Sequence, residues 1–483
     1  MADSRGEAGE VTHKLPGYFL IAAIWLLLFL RGYPTPFIDD LAYIGAALNL
    51  AHHQVYSNPY CPSLASVDST GRFFAYMPLH SYVLAAWLRL FGIGFLALSS
   101  FYTLTAALVS ALLYRLMPPQ PRLASAFTAL GITVLVFLLL GGAGMRPDSL
   151  GLVFLCFGLD AVRSRGAALF FLKNLSLACA VITFPNVASL ALLISAVTLV
   201  YRLQSKPWSL ANFIRTSLPI ALAYSLAFLL MLGCIDFHLG DFLHSLRLGQ
   251  HFATLGVQER NAHLLSPYQI AKWFLIQPAC LALLVGLIWS ESKKPAPRFL
   301  FPCTALLAFL ALFWASLHSA SGAHVWAFAC LLFSLHVIAS RFWKPLPVLI
   351  WSIAVGIFLL GHGHTALEGL FASSPDPRLN SPLIARLKTS PAPLYIDCYA
   401  LREIFDYRLP PHTYGFETGS RVDWEPPDSL AKLLAGTSLV SVKSEISGAV
   451  IFPPDRHWQS LRLLGFRIAP LCANPYDLVL MSR

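Results

Sequence analysis

The chain alternates between long uncharged runs and short turns that carry most of its charge. Residues 15–30 form the first run, bounded by Lys14 and Arg31. A helix needs about 20 apolar residues to cross a bilayer, so this run predicts a membrane span. Residues 90–114, 123–140 and a segment from 149 to just before Arg163 predict further spans. The run 167–201 is too long for one helix, and Phe184-Pro185-Asn186 divides it. Proline removes an amide donor and clashes with the preceding turn. Charge supports the division. With two spans, Arg202, Lys206 and Arg215 fall on the same side as Arg115, Arg122, Arg163 and Arg165. One span would place them on opposite sides, against the cytoplasmic bias of basic turns.

Spans at 216–234 and 273–290 come next. The run 299–340 has no Asp, Glu, Lys or Arg and predicts a pair turning between His318 and His324, and a last span covers 345–360. The pattern predicts a polytopic α-helical membrane protein with about eleven spans. Its N-terminus and basic turns are cytoplasmic and its C-terminus is outside. The segment 78–92 is apolar but interrupted by His80 and Arg89; it is short for a crossing and reads as a helix at the interface.

The pattern changes after His364. Residues 365–385 form a linker containing Ser373-Ser374-Pro375-Asp376-Pro377, whose residue types favour turns. Residues 386–483 then read as a small extracytoplasmic α/β domain. Strands are predicted at 394–397, 439–442 and 477–481, and helices at 399–407, 429–434 and 457–464. The membrane domain is 1–364, with a first outer loop at 31–77 and a long outer loop at 236–272.

Composition agrees. The chain is 57% hydrophobic and 12% charged, about half the charged fraction of soluble domains. The net charge of +10 belongs to cytoplasmic turns and is no nucleic-acid footprint. The first span lacks a cleavage pattern and reads as a retained anchor. The nine cysteines show no metal-site spacing; a Cys398–Cys472 bridge is compatible with an outside location. His251, His263, His318 and His324 show no His-x-x-x-His pattern.

The candidate chemistry gathers at the outer ends of the spans. Asp39 and Asp40 follow the first span directly, after Pro34-Thr35-Pro36-Phe37-Ile38. A carboxylate there can take a proton from an attacking hydroxyl or hold a divalent cation. An aspartate also caps helices, and the residues alone leave both readings open. Arg146-Pro147-Asp148 begins the fourth span, and is either a local ion pair with a cap or a second functional acid.

Asp39-Asp40, Tyr43, Tyr56, Tyr76-Met77-Pro78-Leu79-His80 and Phe91-Gly92 together resemble the first outer loop of the GT-C glycosyltransferases. More narrowly, they are similar to the superfamily of protein O-mannosyltransferases and aminoarabinose transferases. Arg146-Pro147-Asp148 resembles the acidic element of that family's second outer loop. The specific motifs cover residues 34–154. The resemblance implies a transferase moving one sugar from a polyprenyl-phosphate carrier to an acceptor at the outer face. It implies catalytic roles for Asp39, Asp40 and Asp148, with Asp39 as base or metal ligand. A divalent metal is then the one cofactor to consider. Two departures stand out. The turn Thr183-Phe184-Pro185-Asn186 lacks the lysine many relatives place there, and Tyr76-Met77-Pro78 lacks the lysine and first proline of the commoner form. The donor phosphate then needs other charge-assisted donors. Arg72, His80, Arg146, Arg247 and Arg260 are the candidates, with Tyr43 and Tyr76 beside them. The implied partners are a lipid-linked sugar, an unspecified acceptor and membrane lipids, and the implied location is a bacterial inner membrane. A flippase of lipid-linked saccharide and a non-catalytic scaffold are the rival readings.

Overall fold

The structure, a computed structural model, describes residues 4–34, 40–56, 76–117, 122–141, 144–159, 161, 164, 166–204, 209–244 and 246, and five C-terminal strands. The predicted spans beyond residue 272, the linker, the helices at 399–407, 429–434 and 457–464, and the strand at 439–442 lie outside the described residues, as do Cys398 and Cys472.

The apolar runs up to residue 234 are helices: α1 (Ser4–Leu30), α2 (Asp40–His53), α3 (Leu79–Phe91), α4 (Phe95–Leu116), α5 (Arg122–Gly141), α6 (Asp148–Gly158), α7 (Ala167–Val181), α8 (Pro185–Gln204) and α9 (Leu210–Cys234). The expected split of 167–201 is present. Ile182-Thr183-Phe184 separates α7 from α8, and Pro185 opens α8, the helix position where its missing amide costs least. The expected span 90–114 is shorter at its start. Gly92 adopts φ +89°, a conformation that costs glycine little, and this ends α3 before α4 begins. The last of these helices starts at Leu210, earlier than expected, because the Ser209 side chain accepts the Asn212 N–H at 3.1 Å and caps it.

By length and composition, α4 (22 residues) and α9 (25 residues) can each cross a membrane; they measure about 33 and 38 Å. The apolar parts of α1 and α5–α7 are shorter. Leu26, Leu27 and Leu30 on α1, Leu123 and Phe127 on α5, and Leu222, Leu226 and Leu229 on α9 are 48–72% exposed. Apolar surface on this scale is unusual against water and ordinary against lipid. The protein is a membrane-associated helical protein.

Helix α4 is the central post, packed by α1, α5 and α6. The Trp25 indole of α1 donates to Ser110 Oγ of α4 at 3.0 Å. Gly17 lets the two helices approach: a Cβ there would lie 2.3 Å from the Tyr114 ring.

The two ends of the bundle differ chemically. At one end, Lys14 Nζ donates to the Arg115 carbonyl at 3.2 Å, Tyr114 meets Ser125, and Arg202 donates to the Ser164 carbonyl. Arg122 and Arg215 stand in the first turns of α5 and near the start of α9, at the same end. At the opposite end, Ser99 donates to the Tyr33 carbonyl, the Leu79 N–H to the Ile182 carbonyl at 3.3 Å, and the Tyr82 hydroxyl to the Cys234 carbonyl at 2.8 Å. The basic turns thus share one end and the aspartate-bearing turns the other. Lys173 of α7 is a buried charge within a helix, roughly 9 Å along from the helix start. The hydropathy pattern passes over it.

The C-terminal strands are β1 (Leu394–Ile396), β2 (Thr413–Gly415), β3 (Gly448–Ile451), β4 (Arg467–Pro470) and β5 (Val479–Ser482). They form a mixed sheet in the order β2-β1-β3-β5-β4. Strand β1 pairs in parallel with β2 and β3, and β5 runs antiparallel to β3 and β4. Strands β1 and β5 overlap the strands expected at 394–397 and 477–481. Strand β3, Gly-Ala-Val-Ile, is a short apolar run without alternation and was not among the expected strands.

Candidate functional site

The site is built on α2 and α3, two short helices packed against each other at the aspartate-bearing end. Residues 43–50 of α2 are all buried, so neither helix face is left to solvent there. Asp40 is the first residue of α2 and is wholly buried. Its Oδ1 accepts the N–H of Met145 at 2.7 Å, across 105 residues of chain. This bond joins the first and second loops of that end.

Met145 stands in the turn between α5 and α6. Gly144 before it adopts φ +62°, which only glycine takes at little cost. Met145 is fully buried. Arg146 follows, with its Nε 3.2 Å from Asp148 Oδ2; this is ion-pair distance without hydrogen-bond alignment. The guanidinium carbon lies 5.0 Å from the centroid of the Tyr43 ring, within cation–π range. The Tyr43 ring in turn meets Tyr76 at 4.8 Å, tilted by 41°. Asp148 itself is buried.

His80, expected as a phosphate donor, points into the protein. It is 2% exposed, and its Nε2 lies 3.0 Å from the Tyr102 hydroxyl. That hydroxyl donates to the Met145 carbonyl at 2.9 Å. A hydroxyl has one proton, so His80 Nε2 carries the hydrogen of the other bond. Burial pushes the His80 imidazole down to about 3; α3 has 13 residues, too few to cross a bilayer, so this group lies outside the spanning segments.

The fold therefore brings together Asp40, Tyr43, Tyr76, Arg146 and Asp148, with His80 behind them. Asp39, Arg72, Arg247 and Arg260 lie outside the described residues. Tyr102 and Tyr82 also belong to this end and were not among the expected residues, and Tyr56 of the first-loop motif joins them. Tyr56 packs on Tyr82 at 5.4 Å. Tyr102 had a visible sign: Ser99, Ser100, Tyr102, Thr103 and Thr105 crowd hydroxyls into the first turns of an apolar span.

No protein-family model matches the chain, and no curated protein matches it. Among solved structures, the chain is similar to ArnT from Cupriavidus metallidurans bound to undecaprenyl phosphate, at 15% identity and a TM-score of 0.49, over 96% of this chain and 97% of that one. The same enzyme in the apo state gives 14% and 0.44, over 96% and 97%. The Archaeoglobus fulgidus oligosaccharyltransferase complex with zinc and sulfate gives 12% and 0.44, over 95% of this chain and 73% of that one. Scores below 0.5 at such identities assign neither activity nor site residues.

Chemically, the assembled groups offer a guanidinium, two carboxylates and two phenol rings in contact at one end of an apolar bundle. A guanidinium suits a phosphate, and aromatic rings suit the apolar face of a sugar. Among the described residues the carboxylates do not form a divalent-metal site: no three His, Cys, Asp or Glu side chains gather. Asp40 Oδ1 is engaged by an amide and Asp148 Oδ2 faces Arg146.

Proposed function

We propose that the chain is a GT-C-like membrane glycosyltransferase, moving a single sugar from a polyprenyl-phosphate donor to a lipid, glycan or protein acceptor. The basic end of the bundle is cytoplasmic, by the usual bias of lysine and arginine, and the aspartate end is outside. The observation that carries this reading is the Asp40–Met145 hydrogen bond at 2.7 Å. It unites the two loops whose acids the sequence singled out, on the face where a lipid-linked sugar would arrive.

In the proposed step, an acceptor hydroxyl oxygen forms a bond to the anomeric carbon. The bond from that carbon to the phosphate oxygen breaks, and the polyprenyl phosphate leaves with the electron pair. The hydroxyl proton passes to the Asp39 carboxylate, as in general base catalysis. Attack opposite the leaving phosphate inverts the anomeric centre. Arg146 meets the phosphate charge that grows as the bond breaks. Arg72, Arg247 and Arg260 are proposed to share this task, replacing the absent lysine. Asp40 fixes the peptide that carries Asp39, and Asp148 holds Arg146 in place. The proposal extends to a bacterial inner-membrane location and to an outer domain at 386–483 that covers the cleft or shapes the acceptor.

The test uses the full chain reconstituted in liposomes with polyprenyl phosphates carrying radiolabelled mannose, glucose or arabinose. Label should leave the lipid for an acceptor or for water, and Asp39→Asn should abolish this while the protein remains inserted. Movement of intact donor across the bilayer without cleavage would establish a flippase instead. Full turnover by Asp39→Asn would refute the assigned base.

A further inference from the structure

Met145 is gripped on both sides. Its N–H donates to Asp40 Oδ1 at 2.7 Å from the α2 side, and its carbonyl accepts the Tyr102 hydroxyl at 2.9 Å from the α4 side. His80 of α3 stands behind Tyr102 at 3.0 Å and is wholly enclosed. One turn further along α4, Thr105 donates to Ser149 of α6 at 3.0 Å. Helices α2, α3 and α4 thus converge on one residue of the α5–α6 turn. The next residue is Arg146, whose guanidinium lies over Tyr43.

We propose that Tyr102, backed by His80, is a positioning residue for the transfer reaction. It acts through the Met145 carbonyl, and this rests on the transferase reading above. Hydrogen bonds at both the N–H and the C=O of one residue leave its φ and ψ little freedom, so the turn has one conformation in place of several. Arg146 leaves the turn at the next Cα, so its guanidinium inherits that conformation. A misplacement of about 1 Å in a charge-stabilising group is enough to cost a large factor in rate. Tyr102 itself is 1% exposed, far too enclosed to serve as a donor to substrate. His80 presents a hydrogen at Nε2 to the phenol oxygen, which keeps the phenol proton directed at Met145. His80 then acts from a layer behind the phosphate, in place of direct contact with it.

The test compares Tyr102→Phe, His80→Gln and His80→Leu in the reconstituted full chain. Phenylalanine removes only the hydroxyl. Glutamine retains a donor where His80 Nε2 stands, and leucine retains none. The first readout is amide hydrogen exchange, which needs no substrate. In Tyr102→Phe, exchange in peptides covering 144–150 should rise about tenfold, the equivalent of about 1.4 kcal/mol from one lost buried hydrogen bond, while α5 and the rest of α4 keep their protection. The second readout is transfer from the radiolabelled donors. Tyr102→Phe should lower kcat about tenfold with the donor KM within about twofold, since the guanidinium's task grows only as the bond breaks. His80→Leu should follow Tyr102→Phe, and His80→Gln should recover most of the lost kcat. Unchanged exchange at 144–150, or a rise spread evenly over α4–α6, overturns the proposal. So does a kcat equal to that of the unaltered protein, or equal losses in His80→Gln and His80→Leu. Should the unaltered protein transfer none of the sugars, the transferase reading fails and the proposal with it, whereas altered exchange alone would still show that Tyr102 holds the turn.

Discussion

Two adjacent carboxylates should separate cleanly by experiment. Asp40 is buried and ties the start of α2 to the α5–α6 turn. Replacing it with alanine removes a charge-assisted hydrogen bond, worth about 1.5–3 kcal/mol net. It also leaves the Met145 N–H inside the protein without that acceptor, and an unsatisfied buried donor costs about 1–3 kcal/mol. The two costs overlap, so a total loss of about 2–4 kcal/mol is expected. Asp39 is assigned to the proton of the acceptor, so Asp39→Asn should lose transfer and melt with the unaltered protein. The assay is thermal unfolding of both variants in one detergent, read by tryptophan fluorescence, beside transfer from the radiolabelled donors. Asp40→Ala should melt several degrees lower. If Asp40→Ala melts with the unaltered protein, the 2.7 Å contact contributes nothing and the union of the two loops is not what holds this end together. If Asp39→Asn is the variant that melts early, the roles of the pair are reversed.

Two further outcomes are expected. His80 is neutral in the fold, so the stability it contributes is complete above pH 6.5 and is lost as the pH falls from there towards about 3, by up to about 1.4 kcal/mol per pH unit. His80→Gln should therefore flatten the acid limb of a series of thermal melts, and an equally steep limb would show that the imidazole protonates freely inside the fold. Gly158 sits where α6 crosses α7, and a Cβ there would meet the Leu177 side chain at 2.4 Å and the Lys173 carbonyl at 3.0 Å. Gly158→Ala should cost about 1–3 kcal/mol in chemical or thermal unfolding, some of it regained on adding Leu177→Ala, and no loss would mean the two helices part freely.

The helices were legible because their cause is local. A run of apolar residues without charge has few fates other than a helix in lipid, and Pro185 marks a break wherever it falls in such a run. The alternation of basic turns was equally legible, since it depends on counting charges between runs. Boundaries were less so. Gly92 ends α3 through a backbone angle that no hydropathy pattern contains, and Lys173 hides in a run whose neighbours are apolar. The site divides along the same line. Asp40, Arg146 and Asp148 could be named because acids and bases at the edge of a membrane are conspicuous. Their pairing could not, because Asp40 and Met145 stand 105 residues apart and nothing in either segment specifies the other. His80 could be named, but as a phosphate donor, and Tyr102 showed only as one hydroxyl among several at the start of α4. A phenol in a span and an imidazole at an interface both have ordinary explanations, lipid contact and solvation. Only the enclosure of each, and the direction of the hydroxyl proton towards Met145, turns them from surface residues into the support on which Arg146 depends.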